Sequence, residues 1–190
     1  MQTMNKLTLT ATLLASLLLP AQAATEIAGV AVTDTIELQG KPLTLSGAGI
    51  RSKFFMDLYV GSLYSSEPGL DDQQAIEGNQ TSAIRLNIVS GLITSDKMID
   101  SIEEGFQGSA GKHYGQLKPK IDAFIAVFSD QIVEGDQFTL LSLPGVGVEA
   151  YKNGQLLTLI EGEAFRQALL GIWLGDKPAD DDLKEAMLGG

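Results

Sequence analysis

The chain contains no cysteine among its 190 residues. It therefore has no disulfide, no thiol nucleophile and no thiolate that could bind a metal ion. His113 is the only histidine, which excludes a metal site built from several imidazoles. The pattern Gly145-Val146-Gly147 is too short for a phosphate-binding loop and is more typical of a turn between strands. The sequence thus predicts no metal site and no cofactor.

Basic residues are scarce as well. The chain has 13 Lys and Arg against 24 Asp and Glu, and its formal net charge is −11. Because binding to nucleic acid or to an anionic membrane surface requires basic patches, neither is expected here. The acids are spread along the chain except at residues 180–182, which we interpret as the start of a helix, where the dipole favours negative charge.

The first 23 residues have the pattern of a secretory signal. Lys6 precedes an apolar run over residues 7–19, and Ala21-Gln22-Ala23 matches an A-x-A cleavage site. The run is short for a membrane span, although an uncleaved anchor is the alternative. We predict a cleaved signal peptide over residues 1–23, a periplasmic or secreted protein, and a single domain over residues 24–190. That domain is not expected to be an integral membrane protein.

The remaining sequence groups strands with strands and helices with helices. Residues 82–89 alternate between apolar and polar side chains, and Asn153-Gly154 between two apolar runs is a strong hairpin signal. This order predicts an α+β domain with an antiparallel sheet and helices on one face. The predicted strands are 30–38, 43–45, 50–64, 82–89, 137–143, 146–151 and 155–160, and the predicted helices are 96–106, 121–128, 163–174 and a short one after Pro178.

Residues 47–64 contain the candidate ligand-binding residues. Gly47-Ala48-Gly49 is interpreted as a flexible bend, and residues 50–64, rich in aromatic and β-branched side chains, as one long strand. Residues 67–80 are predicted to be a polar connection. On an unbroken strand, Arg51 and Tyr59 share the more polar face by period-two alternation, together with Lys53, Phe55 and Asp57.

Residues 47–64 and 162–189 resemble the bacterial branch of the chalcone isomerase-like proteins. The most specific parts are Ile172-Trp173-Leu174-Gly175 and the tail over residues 183–188. The resemblance implies an open-faced β-sandwich, in which helices cover one face of a large antiparallel sheet and a ligand cleft lies between the layers. That family includes a cyclising enzyme and non-catalytic fatty-acid binders, so function depends on a few side chains.

Two residues are the candidate ligand-binding residues. Arg51 matches the arginine that plant chalcone isomerases place at the reacting oxygen and that fatty-acid-binding members place on the carboxylate. A guanidinium has the planar donor geometry that suits either role. Tyr59 aligns with a threonine of the plant isomerases and a tyrosine of the binders. The alternative is an arginine already paired with an acid, for which Asp57 is the candidate.

The resemblance is weaker for catalysis. The plant enzyme also uses a tyrosine and an asparagine from its first long helix, and residues 96–106 contain neither. No catalytic residue is therefore assigned, except Arg51 in the case of an isomerase. We predict a non-catalytic binder of a small apolar ligand with a carboxylate or carbonyl head, such as a fatty acid. The alternatives are an intramolecular lyase of the chalcone isomerase type and a cell-envelope accessory protein with a vestigial cleft.

Overall fold

The computed structural model describes residues 24–190, so the predicted signal peptide lies outside the described residues. Nine strands and five α-helices follow one another in this part of the chain. The strands are β1 Ala24–Ile27, β2 Val30–Thr33, β3 Thr35–Leu38, β4 Lys41–Lys53, β5 Met56–Ser65, β6 Ser82–Ile88, β7 Gln137–Leu143, β8 Gly147–Lys152 and β9 Gln155–Glu161. The helices are α1 Asp72–Glu77, α2 Ser95–Ala110, α3 Tyr114–Ile125, α4 Glu163–Leu174 and α5 Asp181–Met187.

Strands β3 to β9 form one antiparallel sheet in chain order, and β1 pairs only with β2 in a separate hairpin. The sheet is curled: Gln39, in the turn between β3 and β4, donates hydrogen bonds of 2.7 Å to both carboxylate oxygens of Glu149 on β8. Helices α2 to α5 cover one face of the sheet. The predicted fold class, an antiparallel sheet covered on one face by helices, is confirmed.

An aromatic cluster fills the layer between sheet and helices. Its ring centroids lie 4.9 to 6.0 Å apart, mostly in edge-to-face or tilted arrangements. Such pairs stabilise a core beyond the area that they bury. The five rings come from α2, α3, the turn after α3, β7 and α4; they are Phe106, Phe124, Phe128, Phe138 and Phe165.

The structure corrects the prediction for residues 50–64. The stretch is not one strand but the end of β4, a two-residue turn at Phe54-Phe55 and the whole of β5 apart from its last residue. Both turn residues have positive φ, 52° and 65°. Nothing in the residue types predicts this turn, because a turn of this type normally requires glycine, asparagine or aspartate.

Smaller predictions also differ from the structure. The predicted strand 43–45 is part of the longer β4, and the predicted helix 121–128 begins seven residues too late and runs past the end of α3 into the turn that follows it. Residues 30–38 divide at Asp34 into β2 and β3. The predicted polar connection 67–80 contains α1, which begins with a capping box made by Asp71 and Gln74. Helix α2 continues four residues past Phe106. Within residues 24–190, no helix has both the length and the apolar composition needed to cross a bilayer.

Candidate functional site

The site begins with a row of glycines where α5 packs on β4 and β5. Gly47 and Gly49 were predicted to form a bend, but they lie inside β4, and Gly61 lies opposite Gly49 on β5. A Cβ on Gly47 would overlap the Ala186 carbonyl, and one on Gly49 would lie 2.7 Å from the Ala186 Cβ. The missing side chains therefore let α5 lie directly on the two strands.

This packing places the N-terminus of α5 beside Arg51. Asp180 is the N-cap of α5, and its Oδ1 accepts a 2.9 Å hydrogen bond from the Leu183 backbone N–H. Its Oδ2 accepts a 2.6 Å charge-assisted hydrogen bond from Nη1 of Arg51. The pair is partly exposed, with 22% of the Arg51 side chain and 18% of the Asp180 side chain accessible to solvent.

Asp57, the acid that the sequence suggested as a partner of Arg51, is engaged elsewhere. It accepts a 2.7 Å hydrogen bond from Ser52 Oγ, within the β4–β5 hairpin. The sequence identified Asp180 as part of a helix start but not as a partner of Arg51. The two residues are 129 positions apart, and only the glycine-mediated packing of α5 brings them together.

Arg51 and Tyr59 are direct cross-strand partners in the β4–β5 register, so both side chains lie on the helix-facing side of the sheet. The expectation that the two share a face is met, although the single strand on which it was based does not exist. A register shift just beyond this pair, at Leu58, marks a β-bulge. It follows that the site is built on a hairpin, with one residue from each strand.

Tyr59 is 8% exposed and contacts the one tryptophan of the chain. The indole Nε1–H of Trp173 donates a 3.0 Å hydrogen bond to the Tyr59 hydroxyl oxygen. Burial raises the pKa of Tyr59 above its ordinary value of 10.0, although the Trp173 hydrogen bond and the charge of Arg51 favour the phenolate. The phenol therefore stays protonated at neutral pH and keeps a proton that it can donate to an acceptor.

Unused donors remain in this cluster. Among residues 24–190, Asp180 is the only hydrogen-bond partner of the Arg51 guanidinium, and no group accepts the phenol proton of Tyr59. We call Arg51, Tyr59, Trp173 and Asp180 the β4–β5 cluster. Its donors suit a carboxylate or a carbonyl oxygen. Trp173 was recognised in the sequence only as part of a packing motif.

Two surface pockets lie away from this cluster. The larger, about 770 Å³, lies between helices α1 to α4 and has His113 at its rim. The smaller, about 390 Å³, lies between α3 and β9. Neither is lined by Arg51 or Tyr59. Within the described part of the chain, no group of three or more His, Asp or Glu side chains could hold a metal ion.

The structure resembles that of a fatty-acid binding protein of Arabidopsis thaliana, with a TM-score of 0.71 and 16% sequence identity. The alignment covers 88% of this chain and 96% of the plant protein. At this level of identity the likeness establishes a common fold. No curated protein matches the sequence.

A family model described as "Chalcone isomerase-like" matches residues 24–189. The match therefore spans every described residue except the last, and it includes the hairpin of Arg51 and Tyr59 as well as the helices of Trp173 and Asp180. The chain belongs to the chalcone isomerase-like family.

Proposed function

We propose that this protein binds, without catalysis, a small apolar ligand with a carboxylate or carbonyl head, such as a fatty acid. The observation that carries the proposal is the pairing of Arg51 with Tyr59 across β4 and β5, each with hydrogen-bond donors that no described residue uses. The common fold with a plant fatty-acid binding protein supports the same ligand class.

In this proposal the carboxylate of Asp180 occupies the position of the ligand head. A ligand carboxylate displaces it from Arg51 and takes a second hydrogen bond from the Tyr59 phenol. Exchange of one carboxylate for another keeps the partly buried guanidinium paired throughout, which avoids the cost of an unpaired charge. The ligand tail then lies against the apolar layer between sheet and helices, and α5 must shift to admit it.

The test is titration with medium- and long-chain fatty acids, by calorimetry and by the emission of Trp173, the only tryptophan. Arg51→Ala should weaken binding by roughly tenfold to a hundredfold, since hydrogen bonds to charged groups contribute about 1.5–3 kcal/mol. Tyr59→Phe should weaken it less, because only one neutral donor is lost.

The variant Asp180→Asn sharpens the test. Asparagine is as good an N-cap as aspartate, so α5 should keep its start while the competing charge disappears. Affinity for a fatty acid should rise. Lys53→Ala, which removes an exposed cation of the same hairpin, serves as the control and should leave affinity unchanged. No binding by the wild type, or equal affinity after Arg51→Ala, would refute the proposal.

A specific observation favours the accessory-protein alternative. Arg51 is already neutralised by Asp180, and five phenylalanines fill the layer in which a ligand tail would lie. If no fatty acid binds even to the Asp180→Asn variant, this alternative is preferred. The isomerase alternative requires saturable loss of chalcone absorbance at roughly 1 per second or faster. We expect none, because α2 contains neither tyrosine nor asparagine.

A further inference from the structure

The tip of the β4–β5 hairpin exposes two adjacent phenylalanines. Phe54 is 79% exposed and Phe55 is fully exposed, at 106% of its reference area. Met56, the first residue of β5, is 44% exposed. Two adjacent exposed aromatic side chains lower the solubility of a protein, and exposed apolar groups of this kind often mark an interaction site.

The backbone conformation at this tip is also unusual for phenylalanine. The described residues contain four two-residue hairpin turns, and three of them have glycine in second position: Ala28-Gly29, Gln39-Gly40 and Asn153-Gly154. Only the Phe54-Phe55 turn has no glycine, although both residues have positive φ. Bulky side chains rarely adopt this conformation, and such local strain is concentrated at functional sites.

The tip also projects from the rest of the sheet. Neighbouring strand β6 ends at Ile88, opposite Tyr59, and the backbone N–H of Val89 still donates a 3.0 Å hydrogen bond to the Leu58 carbonyl. The residues between Leu58 and the tip have no third strand beside them. Phe55 lies three positions from Leu58, which at about 3.3 Å per residue gives a projection of about 10 Å. Lys53 flanks the tip, with its ammonium 5.9 Å from the Phe54 ring centroid.

The size and shape of the tip indicate what it contacts. Two phenylalanines offer roughly 300–500 Å², whereas a stable protein interface needs about 800 Å² from each partner. The tip is a projection rather than a groove or a flat face. A bilayer needs no complementary pocket, and the apolar faces of interfacial helices enter it by about 5–10 Å. This depth matches the projection of the tip.

We propose that the β4–β5 tip docks this protein on a lipid bilayer, with Phe54 and Phe55 inserted into the interface. The docking surface is a zwitterionic bilayer rather than an anionic one, because the whole chain carries a net charge of −11 and anionic headgroups repel it. Arg51 lies three residues before Phe54, so the same hairpin that enters the bilayer carries the β4–β5 cluster. The tip contact itself requires no bound ligand.

A local probe tests the insertion. Phe55→Trp is expected to show a blue-shifted emission with phosphatidylcholine vesicles and quenching by lipids brominated on the acyl chain. Val146→Trp is the matched control, because Val146 is 45% exposed and lies in the β7–β8 turn at the opposite end of the sheet. It should show neither effect. An unshifted Phe55→Trp spectrum, or equal shifts at both positions, would overturn the proposal.

A double substitution separates docking from folding. Phe54→Asn with Phe55→Gly installs the sequence that this turn prefers, so thermal stability should be equal or higher. Partition onto ligand-free phosphatidylcholine vesicles should fall at least tenfold, and addition of phosphatidylglycerol should weaken wild-type partition more at low salt than at high salt. Unchanged partition refutes the proposal. So does a wild-type dimer that this substitution dissociates, because the tip then binds a second copy.

Discussion

Among the buried residues, Arg166 is a charged side chain held in the core by hydrogen bonds. It lies on α4 and is 0% exposed. Its Nε donates to both carboxylate oxygens of Glu163 at 2.9 Å, its Nη1 donates to Ser142 Oγ at 2.9 Å, and its Nη2 donates to the Ile76 carbonyl at 2.8 Å. One guanidinium thus connects α4 with β7 and with the end of α1.

Arg166→Ala should lower the free energy of unfolding by about 2–4 kcal/mol, because it leaves the Ser142 hydroxyl and the Ile76 carbonyl without their donor. Urea denaturation measures the loss. Arg85→Ala is the control: Arg85 donates only to Thr139 Oγ1 within the described residues and stacks over the Tyr64 ring at 5.6 Å. Its loss should be about 1 kcal/mol. Equal losses would mean that the Arg166 network contributes little.

Glu163, the charged partner of Arg166, makes the stability of the protein depend on pH. Hydrogen bonds from Arg166 hold the pKa of Glu163 below its ordinary value of 4.5, against the effect of burial. A lowered folded-state pKa contributes stability that is present above pH 4.5 and lost as the pH falls through the folded-state value. Denaturation of wild type and Glu163→Gln between pH 7 and pH 3 should show a difference that shrinks on acidification. A difference that grows in acid would contradict the assignment.

At the scale of elements, the glycine row is the feature that sequence analysis interpreted wrongly. Alternation and turn signals located the sheet meander from β6 to β9 and helix α4, because these elements follow the local pattern of their side chains. Gly47 and Gly49 leave room for Ala186 of α5, which lies more than 130 residues later in the chain. No local sequence pattern reveals this contact. The same limit hid the contact of Asp180 with Arg51, whereas Arg51 and Tyr59 themselves were identified by resemblance.

Gly49→Ala should destabilise the protein by about 1–3 kcal/mol, because the added methyl group would lie 2.7 Å from the Ala186 Cβ and force α5 away from β4. Gly115→Ala is the matched control. It lies in α3, and an added Cβ there meets nothing within 4 Å. Because alanine is the better helix former, the control should gain up to about 1 kcal/mol. Equal changes in stability for both variants would show that the packing of α5 on β4 does not depend on the glycines.

At the scale of the whole molecule, composition and element order were sufficient to predict the layers. Strands grouped with strands produce an antiparallel sheet, and the apolar faces of the helices then have one sheet face to cover. The sequence did not reveal that the layer between them is filled by phenylalanines from five elements, since the packing of a core depends on the final geometry. Under the proposed function, this filling is the reason that a ligand tail could enter only if α5 moved.

Export is a property of the whole chain, and it remains a proposal. Lys6, the apolar run over residues 7–19 and Ala21-Gln22-Ala23 predict cleavage after Ala23. The family match begins at Ala24, so cleavage there would leave the family domain intact. N-terminal sequencing of the protein from the periplasm or medium should therefore begin at or near Ala24. Ala23→Arg should block processing, since the cleavage site requires a small residue, whereas Ala24→Ser should not. Full-length wild-type protein in the cytoplasm would contradict export.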